Sequence, residues 1–220
     1  WVVNPLTDKT EVSHENLQKT LNEIGRFSQK DADAAVNAIA QRGCSQACRR
    51  VIGEQDFLNH INVFPVADGD TGTNLSLSLG AALAVLGEKT DEHLGTLLPR
   101  IADALLDGSR GNSGAIVAQF FQGVADAAGD LRRFTPRSFS RAIATGSDYA
   151  HDAMSQPREG TILTVVRESA EAARAASADD APLVDTLRAA RDAGRAALSR
   201  CEDRRSRAGD TLPLPPGRAE

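Results

Sequence analysis

The sequence predicts an all-α protein of about eight helices, and three observations carry that expectation. Apolar residues recur at helical spacing through most of the chain. Aromatics make up only 4% of the composition and alanine is abundant, which suits a core of closely packed helices. No stretch alternates apolar and polar residues between turn signals, so no strand is expected.

Residues 1–30 are polar and lack a sustained period, so they read as an arm, with the N-terminal extension placed at residues 1–40. Helical signals begin at Asp31. In DADAAVNAIAQRGCSQACRRVIGE, the residues Ala35, Val36, Ile39, Cys44, Cys48 and Val51 share a broad apolar face. EQDFLNHIN is a short second piece. NLSLSLGAALAVLGE follows, with Asn74 suited to cap its start. Between His93 and Gly108, Leu94, Leu97, Leu98, Ile101 and Leu105 fall at i, i+3, i+4, i+7 and i+11, an amphipathic stripe. NSGAIVAQFFQGVADAAG continues after a glycine-rich turn. TPRSFSRAIATGSDYAHDAM opens with Thr135 as a cap and Pro136 at the first helical position. GTILTVVRESAEAARAASA and PLVDTLRAARDAGRAALSR complete the set. TILTVV is β-branched but runs straight into a good helix former. The helical domain is therefore placed at residues 41–200. The remainder, CEDRRSRAGDTLPLPPGRAE at 201–220, has arginine clusters, three prolines and no helical period, and reads as irregular.

The formal net charge of −5 argues against a nucleic-acid binder, which shows a basic face. Arg49-Arg50 and Arg132-Arg133 read as solvated helix surface. No run approaches the roughly 18 apolar residues of a membrane span. The N-terminus shows no basic segment followed by an apolar one, so a cytoplasmic location is expected. Trp1 in place of Met suggests a processed or partial chain. Three cysteines fit a reducing compartment. Cys44 and Cys48 lie four apart, but Cys201, His14, His60, His93 and His151 do not complete a zinc site, so the cysteines read as buried small hydrophobes.

Three loops carry residue types suited to chemistry. In HINVFPVADGDTGTN, residues 60–74, Asp68 and Asp70 are separated by one glycine, so both carboxylates can converge. Two such groups repel unless a cation sits between them. Mg²⁺ suits them, since it takes few protein carboxylates and completes its shell with water and phosphate oxygens. A calcium loop of the EF-hand type fails: with Asp68 first, Thr73 stands where Gly is needed and Leu79 where Glu is needed. A Walker phosphate loop is excluded because no Gly-Lys pair occurs. A plain surface turn and a metal site both remain open for this loop taken alone.

The second loop, DGSRGNSGAIVAQ at residues 107–119, has Gly108, Gly111 and Gly114 and opens a helix with Asn112 and Ser113. Such amides form an anion site, though an interhelical turn accounts better for this piece by itself. The third is PREGTILTVV, residues 157–166, with Gly160 and Thr161 at a helix start. Three glycine-containing, hydroxyl-bearing helix starts, one with paired aspartates, point together to a metal–nucleotide site. His60 reads as a helix-surface or packing histidine.

NVFPVADGDTGTN, GSRGNSGAIVAQFFQG and EGTILTVVRESAE, in this order, resemble the nucleotide-binding domain of bacterial fatty acid kinases. That DhaL-like domain is related to the L subunit of dihydroxyacetone kinases, and the resemblance runs from about residue 45 to residue 200. The FPV.DGDTGTN form favours the fatty acid kinase branch.

The resemblance implies a barrel or bundle of eight antiparallel amphipathic helices with nucleotide bound at one end. It implies Mg²⁺ and ATP/ADP as cofactors, with Asp68 and Asp70 as catalytic magnesium-binding aspartates and Asn62 near a third ligand position. Thr71, Gly72, Thr73 and Asn74 would lie against the phosphates. Gly111, Asn112, Ser113 and Gly114 match the glycine-rich nucleotide loop, and Thr161 falls in the third matching segment. The partner implied is a DegV-type fatty-acid-binding protein that presents the acyl chain, and a homodimer is an allowed assembly. A dihydroxyacetone-kinase-like (glycerone kinase) subunit and a nucleotide-binding module without turnover are the alternatives. The family follows AGRAALSR with a further helical stretch and a glycine-rich loop. The tail does not resemble these, so a truncated or frame-shifted end is expected.

Overall fold

A computed structural model of the chain describes residues 29–62, 68–87, 93–177 and 182–207. Among the described residues there are eight helices and no strand. They are α1 (Gln29–Gly53), α2 (Gln55–His60), α3 (Thr71–Leu86), α4 (Leu94–Gly108), α5 (Gly111–Ala128), α6 (Pro136–Asp152), α7 (Ile162–Ala175) and α8 (Leu183–Arg207). None is long and apolar enough to cross a membrane. From α3 onward each helix packs on the next, and α3 also packs on α1, α2 and α5.

Local sequence explains most of these elements. The stripe on α4 is buried throughout, with Leu105 fully so. Pro99 lies inside α4 and cannot donate to the carbonyl four residues back, which belongs to Gly95. Thr135 caps α6 with Pro136 in its first turn. The Thr135 hydroxyl accepts from Ser138 N at 3.2 Å, and the Ser138 hydroxyl accepts from Thr135 N at 2.8 Å. That reciprocal box satisfies two amides that a helix start leaves open.

Short connections turn consecutive helices back on one another, so alternate helices begin at the same end. Ile116 early in α5, Ala150 late in α6 and Leu163 early in α7 form one buried cluster. Leu97, Ile101 and Leu105 of α4 pack with Ala82 and Leu86 of α3 and Ala118 of α5. Small residues permit the closest crossings. A Cβ on Gly146 of α6 would stand 2.7 Å from the carbonyl oxygen of Phe120 on α5. The all-α bundle expected from the sequence is the architecture observed.

Several expectations need correction. Asn74 does not cap α3, which begins at Thr71 with Asp70 in the cap position. Gly69, at φ 66°, turns the chain so that Asn74 N already donates to Asp70 O at 2.8 Å. As the helical signals from Asp31 predict, α1 runs from Gln29 through residue 40, whereas α8 continues beyond Arg200 through Cys201 to Arg207. The first residues of the tail are thus helical, because no proline interrupts them before residue 213. Of the cysteines, Cys201 is buried and Cys48 is half-buried against the core, but Cys44 is exposed. The side chains of Ala35, Val36 and Ile39, and residues 1–28 and 208–220, lie outside what the structure describes.

Candidate functional site

The starts of α3, α5 and α7 share one end of the bundle, and each carries one of the three loops. At the first, Asp68, Gly69 and Asp70 are all exposed. Gly69 takes a positive φ, a conformation that costs a residue with a Cβ about 1–2 kcal/mol. Asp70 occupies the N-cap of α3, yet its side chain makes no cap hydrogen bond. An aspartate there ordinarily accepts from the second or third amide of the helix. Here that acceptor comes from another helix: Asn59 Oδ1 of α2 accepts from Thr73 N at 3.0 Å. Asn59 Nδ2 donates to Thr73 Oγ1, also at 3.0 Å. Gly72 is buried because α2 presses on it, and a Cβ would stand 2.0 Å from Gln55 O.

Asn62 stands beside this turn and donates through Nδ2 to Asp68 Oδ1 at 2.5 Å. A carboxylate only accepts, so the amide nitrogen must face it. In this placement Asn62 holds Asp68 and does not offer its oxygen. Two exposed carboxylates on either side of Gly69 fit Mg²⁺, which binds through one or two carboxylates and keeps several waters. Among the described residues no group of three or more His, Cys, Asp or Glu could hold a metal ion. Further coordination would therefore fall to water and to a ligand's oxygens. His60 closes α2 and is exposed.

The second loop is built against α3 through three matched contacts. A Cβ on Gly111 would stand 2.3 Å from Asn74 Nδ2, one on Gly114 2.4 Å from Ser78 Oγ, and one on Gly108 2.6 Å from Ala81 Cβ. Asn74, Ser78 and Ala81 fall on one face of α3 at i, i+4 and i+7. Ser78 is completely buried. Its hydroxyl donates to Asn74 O at 2.8 Å and accepts from Arg110 N at 3.2 Å. The glycines of this loop therefore answer first to helix packing. Arg110 is the N-cap of α5 without a side-chain cap bond; Asn112 is exposed and Ser113 half-buried. The first-turn amides of α5 point out of the same end of the bundle as the aspartates, the geometry of an anion-binding helix start.

The third loop has local work. Thr161 caps α7, accepting from Leu163 N at 3.3 Å and donating to Arg158 O at 2.7 Å. The buried Thr164 hydroxyl donates to Glu159 Oε2 at 2.6 Å and accepts from Gly160 N at 2.8 Å. Arg167 joins Glu159 to Glu171 at 3.2 and 3.0 Å. Contact thus brings the first two loops together directly, through Asn74 and Gly111. The third reaches the second through the packing of Leu163 against Ile116.

Sequence reasoning missed Asn59 and Ser78. Asn59 stands three residues before Asn62, near enough to the acidic loop to have been singled out. Ser78 carried no such signal. Both act on residues distant in sequence.

Comparison with known proteins bears on this end of the bundle. The family described as "DAK2 domain" matches residues 65–214, more than half of the chain. The match includes all three loop regions from residue 65 onward, and it continues past Arg200 into the segment the sequence set apart as a tail. An uncharacterized protein of Staphylococcus saprophyticus is 35% identical over 137 residues, 61% of this chain and 25% of its own length. Protein YloV of Bacillus subtilis is 34% identical over 140 residues, 64% of this chain and 25% of its own. An uncharacterized protein of Staphylococcus aureus (strain USA300) is 33% identical over 128 residues, 58% of this chain and 23% of its own. The chain spans about a quarter of the length of these relatives.

Proposed function

The chain belongs to the DAK2 domain family, and from that premise we propose that it is a Mg²⁺-dependent nucleotide-binding phosphotransferase module of the fatty acid kinase type. One observation carries the reading. Asp70 holds a cap position without capping, and it stands exposed at a helix start beside the exposed Asp68, whose carboxylate accepts, among the described residues, only from Asn62. Kinase subunits in the family support a nucleotide as the ligand at this end.

In this reading Asp68 and Asp70 hold Mg²⁺, which neutralises charge on the phosphates. Thr71 to Asn74 form the wall beside them. The first turn of α5, from Gly111 to Gly114, receives phosphate oxygens on its amides, and Thr161 shapes the third side. Phosphoryl transfer rests mainly on positioning and charge neutralisation. A fatty acid carboxyl, with a pKa of roughly 4 to 5, is already ionised at neutral pH, so no general base is required. A carboxylate oxygen attacks the γ-phosphorus and the bond from phosphorus to the bridging oxygen of ADP breaks. The products are an acyl phosphate and ADP, and such a product would serve phospholipid metabolism.

The acyl chain would be presented by a DegV-type fatty-acid-binding protein. The test has two stages. Calorimetry should show MgADP binding to the parent chain and its loss in Asp68→Ala. Addition of ATP and a DegV-type protein loaded with oleate should then yield acyl phosphate. Turnover of dihydroxyacetone without turnover of oleate would overturn the substrate assignment. Binding with no turnover of either would make the chain a nucleotide-binding module.

A further inference from the structure

We infer that Asn59 is a positioning residue that takes over the capping of α3 and so leaves the Asp70 carboxylate free for a cation. The inference rests on the metal site proposed above and deepens it. Two observations that are odd separately fit together here. An aspartate at an N-cap makes no cap bond, and an asparagine from a preceding helix accepts from the third amide of that same helix start, the donor an N-cap aspartate would satisfy. Asp70 has a backbone of φ −116° and ψ −2°, outside the extended region of a capping residue, and Asn59 serves the amide in its stead. While Asn59 Oδ1 holds Thr73 N at 3.0 Å, the Asp70 carboxylate has no claim on it.

The orientation of the Asn59 amide follows from its partners. A backbone N–H only donates, so Oδ1 must face Thr73 N. That places Nδ2 on Thr73 Oγ1, where the 3.0 Å bond holds the amide plane in register. Backbone contact fixes the distance between the helices. Gly72 lets Gln55 O approach to within 2.0 Å of where a Cβ would stand, and Asn59 O lies 3.8 Å from the corresponding point on Gly69, between the two aspartates. The tight seat of α2 on α3 thus delivers the side chain of Asn59 to the amide and its backbone to the acidic turn.

The test compares variants of the full chain by Mn²⁺ titration, with the free ion followed by its electron paramagnetic resonance signal, and by thermal melting without metal. Asn59→Ala removes the borrowed cap, so Thr73 N recruits Asp70 and Mn²⁺ affinity should fall about tenfold. Asn59→Asp keeps an acceptor for Thr73 N and should restore that affinity. In an Asp70→Asn background, Asn59→Ala should cost no further affinity, because no carboxylate remains to be diverted. A merely structural cap would instead lower the melting midpoint and leave Mn²⁺ affinity unchanged, which would overturn the inference. Equal losses from Asn59→Ala in the parent and the Asp70→Asn background would overturn it as well. A parent that takes up no Mn²⁺ removes the metal site itself and this inference with it. A parent that binds Mn²⁺ while Asn59→Ala binds it equally well sinks the inference alone.

Discussion

The starts of α3 and α5 look alike in sequence, since both mix glycine with Asn and hydroxyl residues, but the structure employs them differently. Before and within α5 the glycines serve packing: Gly108 at the end of α4, Gly111, which also takes a φ of 57°, and Gly114 each leave room for a residue of α3. At α3 one glycine does the same, with Gly72 seated on α2, while Gly69 supplies a positive φ between two exposed aspartates. Packing therefore explains the second loop without a ligand and leaves the acidic pair of the first unexplained. Glycine-rich helix starts by themselves are weak evidence for phosphate binding. Carboxylates that the fold does not use are stronger evidence for a cation.

This contrast can be broken by substitutions ranked by their cost. Gly72→Ala should be the most damaging, because the clash is with backbone on α2. At least about 3 kcal/mol of stability should be lost, offset by only about 1 kcal/mol of helix propensity, and urea unfolding would measure it. Gly114→Ala meets a hydroxyl that can turn aside, though Ser78 is fully buried, so about 2 kcal/mol is expected. Adding Ser78→Ala should return part of that loss in a double-mutant cycle, and strict additivity would show that the two sites do not touch. Gly160→Ala should cost least of the three. Nothing lies within 4 Å of its Cβ position and only its φ of 82° is strained, so about 1 kcal/mol should be lost. If Gly160→Ala proved more damaging than Gly72→Ala, the division between packing and conformational glycines would be wrong.

How much of this was legible depended on range. The α4 stripe and the α6 cap are written within a few residues of themselves, and both stand as the periodicity and cap chemistry predict. The start of α3 is not. Asn74 is a good cap by residue type, but the chain turns at Gly69 and the true acceptor arrives from Asn59, 14 residues before the amide it serves. Helical periodicity cannot report such a partner. Cys44 illustrates the same limit, since a broad apolar face on α1 says nothing of how many neighbours will cover it. The aspartates were legible because two carboxylates around one glycine are chemically conspicuous wherever they fold. That Asp70 is left without a capping bond was visible only in three dimensions.

The central claim is that Asp68 and Asp70 serve a ligand and not the fold. The most direct measurement pairs calorimetry with MgADP and melting midpoints for Asp68→Ala and the parent. The account predicts that MgADP affinity falls at least about tenfold while stability changes by less than about 1.5 kcal/mol, the worth of the one exposed hydrogen bond that Asp68 accepts from Asn62. Unchanged MgADP affinity together with a midpoint lowered by several degrees would contradict it, and would return the acidic loop to an ordinary surface turn.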